Sequence, residues 1–112
     1  MASTPLALTT PIARYFEAAN QQDAPAMLAC FAKNATVVDE AVVRSGTVAI
    51  RRWIKDSTAK YQASVEPLDQ KHAGDETVVT GMVTGEFPGS PVPLTYNFRL
   101  AGQTISYLKI TA

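Results

Sequence analysis

Residues 94–111, LTYNFRLAGQTISYLKIT, decide the fold. Leu94, Tyr96, Phe98 and Leu100 alternate with Thr95, Asn97 and Arg99, the period of a strand with one buried face. Ala101-Gly102-Gln103 reads as a hairpin loop, and Thr104 to Thr111 as the returning strand. On that strand Ile105, Tyr107 and Lys109 share parity. If they face inward, Tyr107 joins the core and Lys109 sits near the end of the same face.

Working upstream, the period of two continues. Glu76 to Phe87 reads as a long strand with Val79, Gly81, Val83, Gly85 and Phe87 on one face. Thr80, Met82, Thr84 and Glu86 lie on the other. The two glycines remove side chains from the inner face, which either widens a pocket or makes room for large residues opposite. Tyr96, Phe98, Trp53 and Tyr107 are the candidates to fill that room. Ser64 to His72 is a weaker strand, and Pro67 makes it an edge strand or forces a bulge. Gly74-Asp75 and Pro88-Gly89-Ser90-Pro91 are turns.

Before residue 64 the period is that of a helix. Thr10-Pro11 reads as a helix start, followed by Ile12, Tyr15, Phe16 and Ala19 on one face. Asp23 caps a second, shorter helix that carries Ala24, Met27, Leu28 and Phe31 inward. Together they form a helical hairpin. Ala35 to Glu40 is a short strand with Val37 and Asp39 on one face. A loop with Arg44-Ser45-Gly46 leads to a third helix, capped by Thr47. It buries Ile50, Trp53, Ile54, Ser57 and Tyr61 and turns Arg51, Arg52, Lys55 and Lys60 to solvent. Helices first and a meander afterwards give an α+β fold. The expected architecture is a cone. A strongly curved, mostly antiparallel sheet wraps an N-terminal helical hairpin and a third helix, enclosing a pocket. Residues 1–9 read as a loose arm and 10–112 as one domain.

Composition narrows the function. Lys plus Arg number 10 and Asp plus Glu number 10, so no net charge favours nucleic acid or an anionic membrane as partner. No stretch approaches the roughly 18 apolar residues of a membrane span. MASTPLALTTP lacks the basic start and apolar run of a secretory signal, which makes the cytoplasm the expected location. Cys30 is the only cysteine and His72 the only histidine, so a Cys/His metal site is not expected. Cys30 reads as a packing residue and His72 as a surface residue. Glu40 has the opposite strand parity to Asp39, which argues against a carboxylate pair. Arg44 reads as a loop charge that can pair with either acid, and Lys109 as a lysine reaching solvent.

The segments ARYFEAANQQDAPAMLACFAKNATVVDE (13–40), RSGTVAIRRWI (44–54) and YNFRLAGQTISYLKI (96–110) resemble the SnoaL-like and ketosteroid-isomerase-like proteins. These belong to the nuclear-transport-factor-2-like superfamily. The resemblance runs from about residue 11 to residue 110. It implies a conical fold, a deep pocket and a homodimer, with Met82 on the sheet face that packs against a partner copy. Within that family the steroid isomerases look closest around the first helix and first strand. Asp39 then matches the position of their proton-abstracting base and Tyr15 that of their oxyanion tyrosine. Tyr96 stands where those enzymes carry a protonated aspartic acid, a departure that still leaves an oxyanion donor.

The resemblance thus implies a cofactor-independent isomerase, cyclase or lyase acting on a small apolar or carbonyl-containing ligand. Asp39, Tyr15 and Tyr96 would do the chemistry. Phe31, Val37, Trp53, Val83, Phe98 and Tyr107 would shape the cavity. The alternative is a non-catalytic ligand-binding or dimerisation module on the same fold.

Overall fold

The computed structural model describes residues 8–112. Most of the expected N-terminal arm, residues 1–9, lies outside that range. Within it, Leu8 packs against the core and Thr9 is the N-cap of the first helix.

The element order is α1 (Thr10–Asn20), α2 (Ala24–Ala29), β1 (Phe31–Asp39), β2 (Val42–Ser45), α3 (Thr47–Tyr61), β3 (Ser64–Ala73), β4 (Glu76–Thr84), β5 (Val92–Ala101) and β6 (Thr104–Thr111). The six strands form one open sheet in the order β2-β1-β6-β5-β4-β3. Only the β1–β6 pair is parallel. Helices cover the concave face, giving the α+β cone. Ile12 and Phe16 from α1, and Ile50 and Ile54 from α3, meet Val37, Val79, Phe98, Ile105 and Leu108 of the sheet in one core. No helix among the described residues is long and apolar enough to cross a membrane.

Several local expectations are corrected. The second helix ends at Ala29, and Phe31 opens β1 rather than closing α2. Asp23 does cap α2, accepting from the Ala26 N–H at 3.2 Å. Residues 42–45 form a strand, not a loop, because a two-residue turn folds β2 back onto β1 with Asp39 opposite Val42. The N-caps of α1 and α3 are Thr9 and Gly46, each one residue before the expected threonine. β4 stops at Thr84 instead of Phe87. There the sheet meets the end of α3, and the Glu86 N–H donates to the Tyr61 carbonyl at 2.7 Å. β3 is both an edge strand and irregular, with its register shifting between Pro67 and Asp69.

The correction with most consequence is in β6. Arg99 pairs with Tyr107, but Leu100 pairs with Ile105, so one extra residue bulges out at Ser106. The Ser106 hydroxyl donates to the Arg99 carbonyl at 3.1 Å. A bulge reverses side-chain parity. Ile105 and Leu108 are therefore the buried residues, while Tyr107 and Lys109 move to the outer face. There the Arg99 guanidinium stacks over the Tyr107 ring at 4.9 Å and pairs with Glu76 at 2.9 Å.

Candidate active site

Sheet register builds the floor of the cavity. Asp39 on β1 and Tyr96 on β5 both pair with Ile110 on the strand between them, β6. Residues directly opposite across a sheet share a face, so Asp39, Ile110 and Tyr96 form one row on the concave side. Two strand spacings separate the ends of the row, about 9.5 Å. Tyr15 reaches the same space from α1. All three line a cavity of about 750 Å³. Ala19, Met27, Ile54, Val65, Val83 and Leu94 supply much of its apolar wall.

An aromatic cluster fixes the two phenols. Tyr15 meets Phe16, Phe31 and Phe98 edge-on, with ring centroids 5.4, 5.7 and 5.9 Å away. Tyr96 meets Phe16 edge-on at 5.1 Å and stacks on Phe98 at 6.2 Å. Each tyrosine is only 4% exposed, and neither hydroxyl hydrogen-bonds a protein group among the described residues. Burial raises the Tyr15 pKa well above its ordinary value, with Tyr96, Asp39 and Cys30 adding to the effect. Burial and then Asp39 raise that of Tyr96. Both phenols therefore stay protonated at neutral pH and present donors to the cavity.

Asp39 is anchored on one side only. The Trp53 indole N–H donates to Asp39 Oδ2 at 2.9 Å. Trp53 is 5% exposed and packs edge-on against Phe31 at 6.4 Å, so the anchor is itself held in place. Arg44 does not touch the carboxylate; it donates to the Asp39 backbone carbonyl at 3.2 Å. Fixing one oxygen aims the other, which takes no hydrogen bond from a described residue, at the cavity.

Trp53 and Val83 line the cavity. Phe31, Val37 and Phe98 do not. They lie one layer behind it, where Phe31 and Phe98 hold the tyrosine rings and Val37 is fully buried. Tyr107 faces the opposite side of the sheet because of the β6 bulge. Gly81 resolves toward making room. A Cβ there would stand 2.7 Å from Val65 Cγ1 and 3.4 Å from Tyr96 Cε1. Gly85 lies beyond the strand, where a Cβ would strike the Tyr61 carbonyl at 2.7 Å.

Parity misjudged Glu40. The strand ends at Asp39, and Glu40 and Ala41, with φ of 54° and 61°, form the β1–β2 turn. Both line the cavity mouth, where Glu40 accepts a hydrogen bond from the Tyr61 hydroxyl. Such two-residue turns favour Asn-Gly or Asp-Gly, so Glu-Ala gives the sequence no turn signal to read. Cys30 is the buried C-cap of α2, its Sγ 3.4 Å from the Ala26 carbonyl. His72 is exposed on β3 with Nδ1 3.2 Å from Thr77 Oγ1. The described residues hold no group of three His, Cys, Asp or Glu side chains placed to bind a metal.

The SnoaL-like domain family matches residues 12–106, most of the chain. This protein belongs to the SnoaL-like family. Its nuclear-transport-factor-2-like cone recurs in solved structures. A candidate polyketide cyclase from Sinorhizobium meliloti is 38% identical, with a TM-score of 0.88 over 93% of this chain and 95% of that one. A Catenulispora acidiphila protein with a ketosteroid-isomerase-like fold, solved with trimethylamine, is 21% identical. Its TM-score is 0.79 over 97% of this chain and 87% of that one. The epoxide hydrolase/cyclase-like enzyme SalBIII of salinomycin pyran-ring formation is 23% identical, with a TM-score of 0.71 over 90% and 86% of the two chains. The last two carry the likeness of fold alone. Comparison with curated proteins returns no match.

Proposed function

We propose that this SnoaL-like protein is an enzyme of the isomerase, cyclase or lyase kind that moves a proton next to a carbonyl using its own side chains. The observation that carries the reading is a half-anchored carboxylate sharing one mostly apolar cavity with two buried phenols whose hydroxyls bond no described residue. Asp39 takes the proton from the carbon beside the carbonyl. The electrons move onto the carbonyl oxygen, and the Tyr15 and Tyr96 hydroxyls donate to the enolate that develops. A raised phenol pKa suits this role, because the donor must not surrender its own proton. Trp53 is a positioning residue that keeps the base oriented. The likeness to a candidate polyketide cyclase supports a polycyclic or cyclising carbonyl compound as substrate.

The test needs no natural substrate. Hydrogen–deuterium exchange beside the carbonyl of a rigid polycyclic ketone is followed by NMR. The wild type is expected to accelerate it, and Asp39→Asn to abolish the acceleration while still binding the ketone. Full exchange activity in Asp39→Asn would sink the reading. The proposal also takes the protein as a homodimer through the outer sheet face, where Met82 and Thr80 are half-buried. A monomer by light scattering would remove that part alone.

A further inference from the structure

Charge in the cavity is unbalanced. The charged side chains that line it are Asp39, Glu40 and Lys60, two carboxylates against one ammonium. Lys60 is already engaged. Its ammonium lies 5.0 Å from the centroid of the Tyr61 ring, and Tyr61 and then Glu40 raise its pKa. Glu40 in turn accepts a hydrogen bond from the Tyr61 hydroxyl. Asp39 has no cationic partner. The one ion pair among the described residues joins Arg99 to Glu76 on the outer face. Arg44 directs its guanidinium to the backbone carbonyls of Asp39 and Val42. The Trp53 indole is a neutral donor, so it fixes one carboxylate oxygen without cancelling the charge.

Two further oxygens share the space. Tyr15 and Tyr96 are each 4% exposed, line the cavity and bond no described residue through their hydroxyls. The three groups lie close enough to feel one another. Burial raises the Tyr15 pKa most, and Tyr96 and then Asp39 add to it; at Tyr96, Asp39 again adds to burial. A phenol oxygen accepts a hydrogen bond as well as donating one. One free carboxylate oxygen and two phenol oxygens thus offer three acceptors with one uncancelled negative charge. An alkylammonium is the complement, with three N–H donors and one positive charge. Closing a ligand over an unpaired carboxylate costs solvation, and a hydrogen-bonded cation offsets that cost. Aromatic lining favours the same sign, because ring faces attract cations, as Tyr61 does with Lys60. The mostly apolar wall calls for an organic cation rather than a bare ion.

We propose that the cavity binds a primary ammonium carried on a compact apolar body, with its N–H groups donating to the free Asp39 oxygen and to the Tyr15 and Tyr96 hydroxyls. The ligand class is an apolar amine in its protonated form. The inference needs only the charge and position of these three oxygens, so it stands whether or not Asp39 moves a proton. An amine held there occupies the carboxylate and competes with any carbonyl compound for the cavity.

The test uses three probes of nearly one shape: adamantylmethylamine, adamantylmethanol and adamantanecarboxylate. Affinity is read by titration calorimetry at neutral pH. Hydrogen bonding to a charged acceptor predicts that the wild type binds the amine about tenfold or more tightly than the alcohol, and the carboxylate least. Asp39→Asn removes the charge and nearly keeps the shape. It should bring the amine-to-alcohol ratio to about one while the alcohol still binds. A wild-type ratio of one or less, a preference for the carboxylate, or a ratio that survives Asp39→Asn overturns the inference. Absence of binding by all three probes at millimolar concentration overturns it as well. Should Asp39→Asn fail to fold, the wild-type order of the three probes decides alone. Deuterium exchange enters none of these readings, so the proposed reaction stands or falls separately.

Discussion

The cavity residues carried by regular elements and those carried by the β1–β2 turn are built on opposite principles. Asp39 and Tyr96 stand on regular strands, Tyr15 stands on a regular helix, and all three backbones are unstrained. Their side chains are fixed by packing and by one indole hydrogen bond. At the mouth, Glu40 and Ala41 are strained, exposed turn residues, and Glu40 is fixed by a single bond to another element. A reacting group gains from a rigid scaffold, since small misplacement is costly in rate. The difference teaches that one backbone turn gives two adjacent acidic residues different surroundings in one cavity.

The strongest way to break the comparison is to exchange the roles of the two carboxylates. Asp39→Asn should lower proton-transfer rate by about 10²–10⁴-fold, while Glu40→Gln should change it only severalfold. Equal losses, measured as deuterium exchange on one ketone, would show that the two acids act as a pair. Next in size, Tyr15→Phe removes one proposed oxyanion donor and should cost about 10²–10³-fold in rate with ligand binding preserved. A loss of binding equal to the loss of rate would assign Tyr15 to ground-state recognition.

Stability offers a third comparison. Gly85→Ala forces a methyl group against the Tyr61 carbonyl and the Ala63 backbone, and backbone has little room to yield. It should destabilise by about 1–3 kcal/mol in urea. Gly81→Ala meets the Val65 side chain instead and should cost less. The reverse order would mean that the α3 end yields more easily than the sheet.

The phenols predict an alkaline limit. Their folded pKa values lie above the ordinary 10.0, so below that pH folded and unfolded chains bind the same number of phenol protons. Above it the unfolded chain loses protons that the folded chain keeps. Stability then falls as pH rises, by about 1.4 kcal/mol per pH unit for each phenol. Tyr15→Phe and Tyr96→Phe should each flatten the fall, as read from urea midpoints across alkaline pH. The smallest effect belongs to the mouth. Ala41→Gly, at φ 61°, should relieve strain and stabilise by up to about 1 kcal/mol. Destabilisation would show that the turn is not strained.

Much of this was readable in advance. Strict alternation in 94–100 fixed β5, and the face of Ile12, Tyr15 and Phe16 fixed α1, because burial of one face imposes its period on the chain. Asp39 and Tyr15 entered through the family resemblance, not through spacing. Trp53 was legible as a buried aromatic, but its hydrogen bond to Asp39 joins residues 14 apart across two elements. Asn20 shows the same limit. Its side chain both accepts from and donates to the Val65 backbone, 45 residues away, at 2.6 and 2.9 Å.

By itself, then, the sequence determined which faces are apolar and the α+β order of elements, since these follow from local periodicity, while the pocket was what the family resemblance implied. Tertiary structure alone decided which residues reach that pocket. A single bulge at Ser106 sent Tyr107 and Lys109 outward, and a two-residue turn brought Glu40 to the mouth. Both are shifts of one or two residues in pairing, and parity holds only while the pairing it assumes is unbroken.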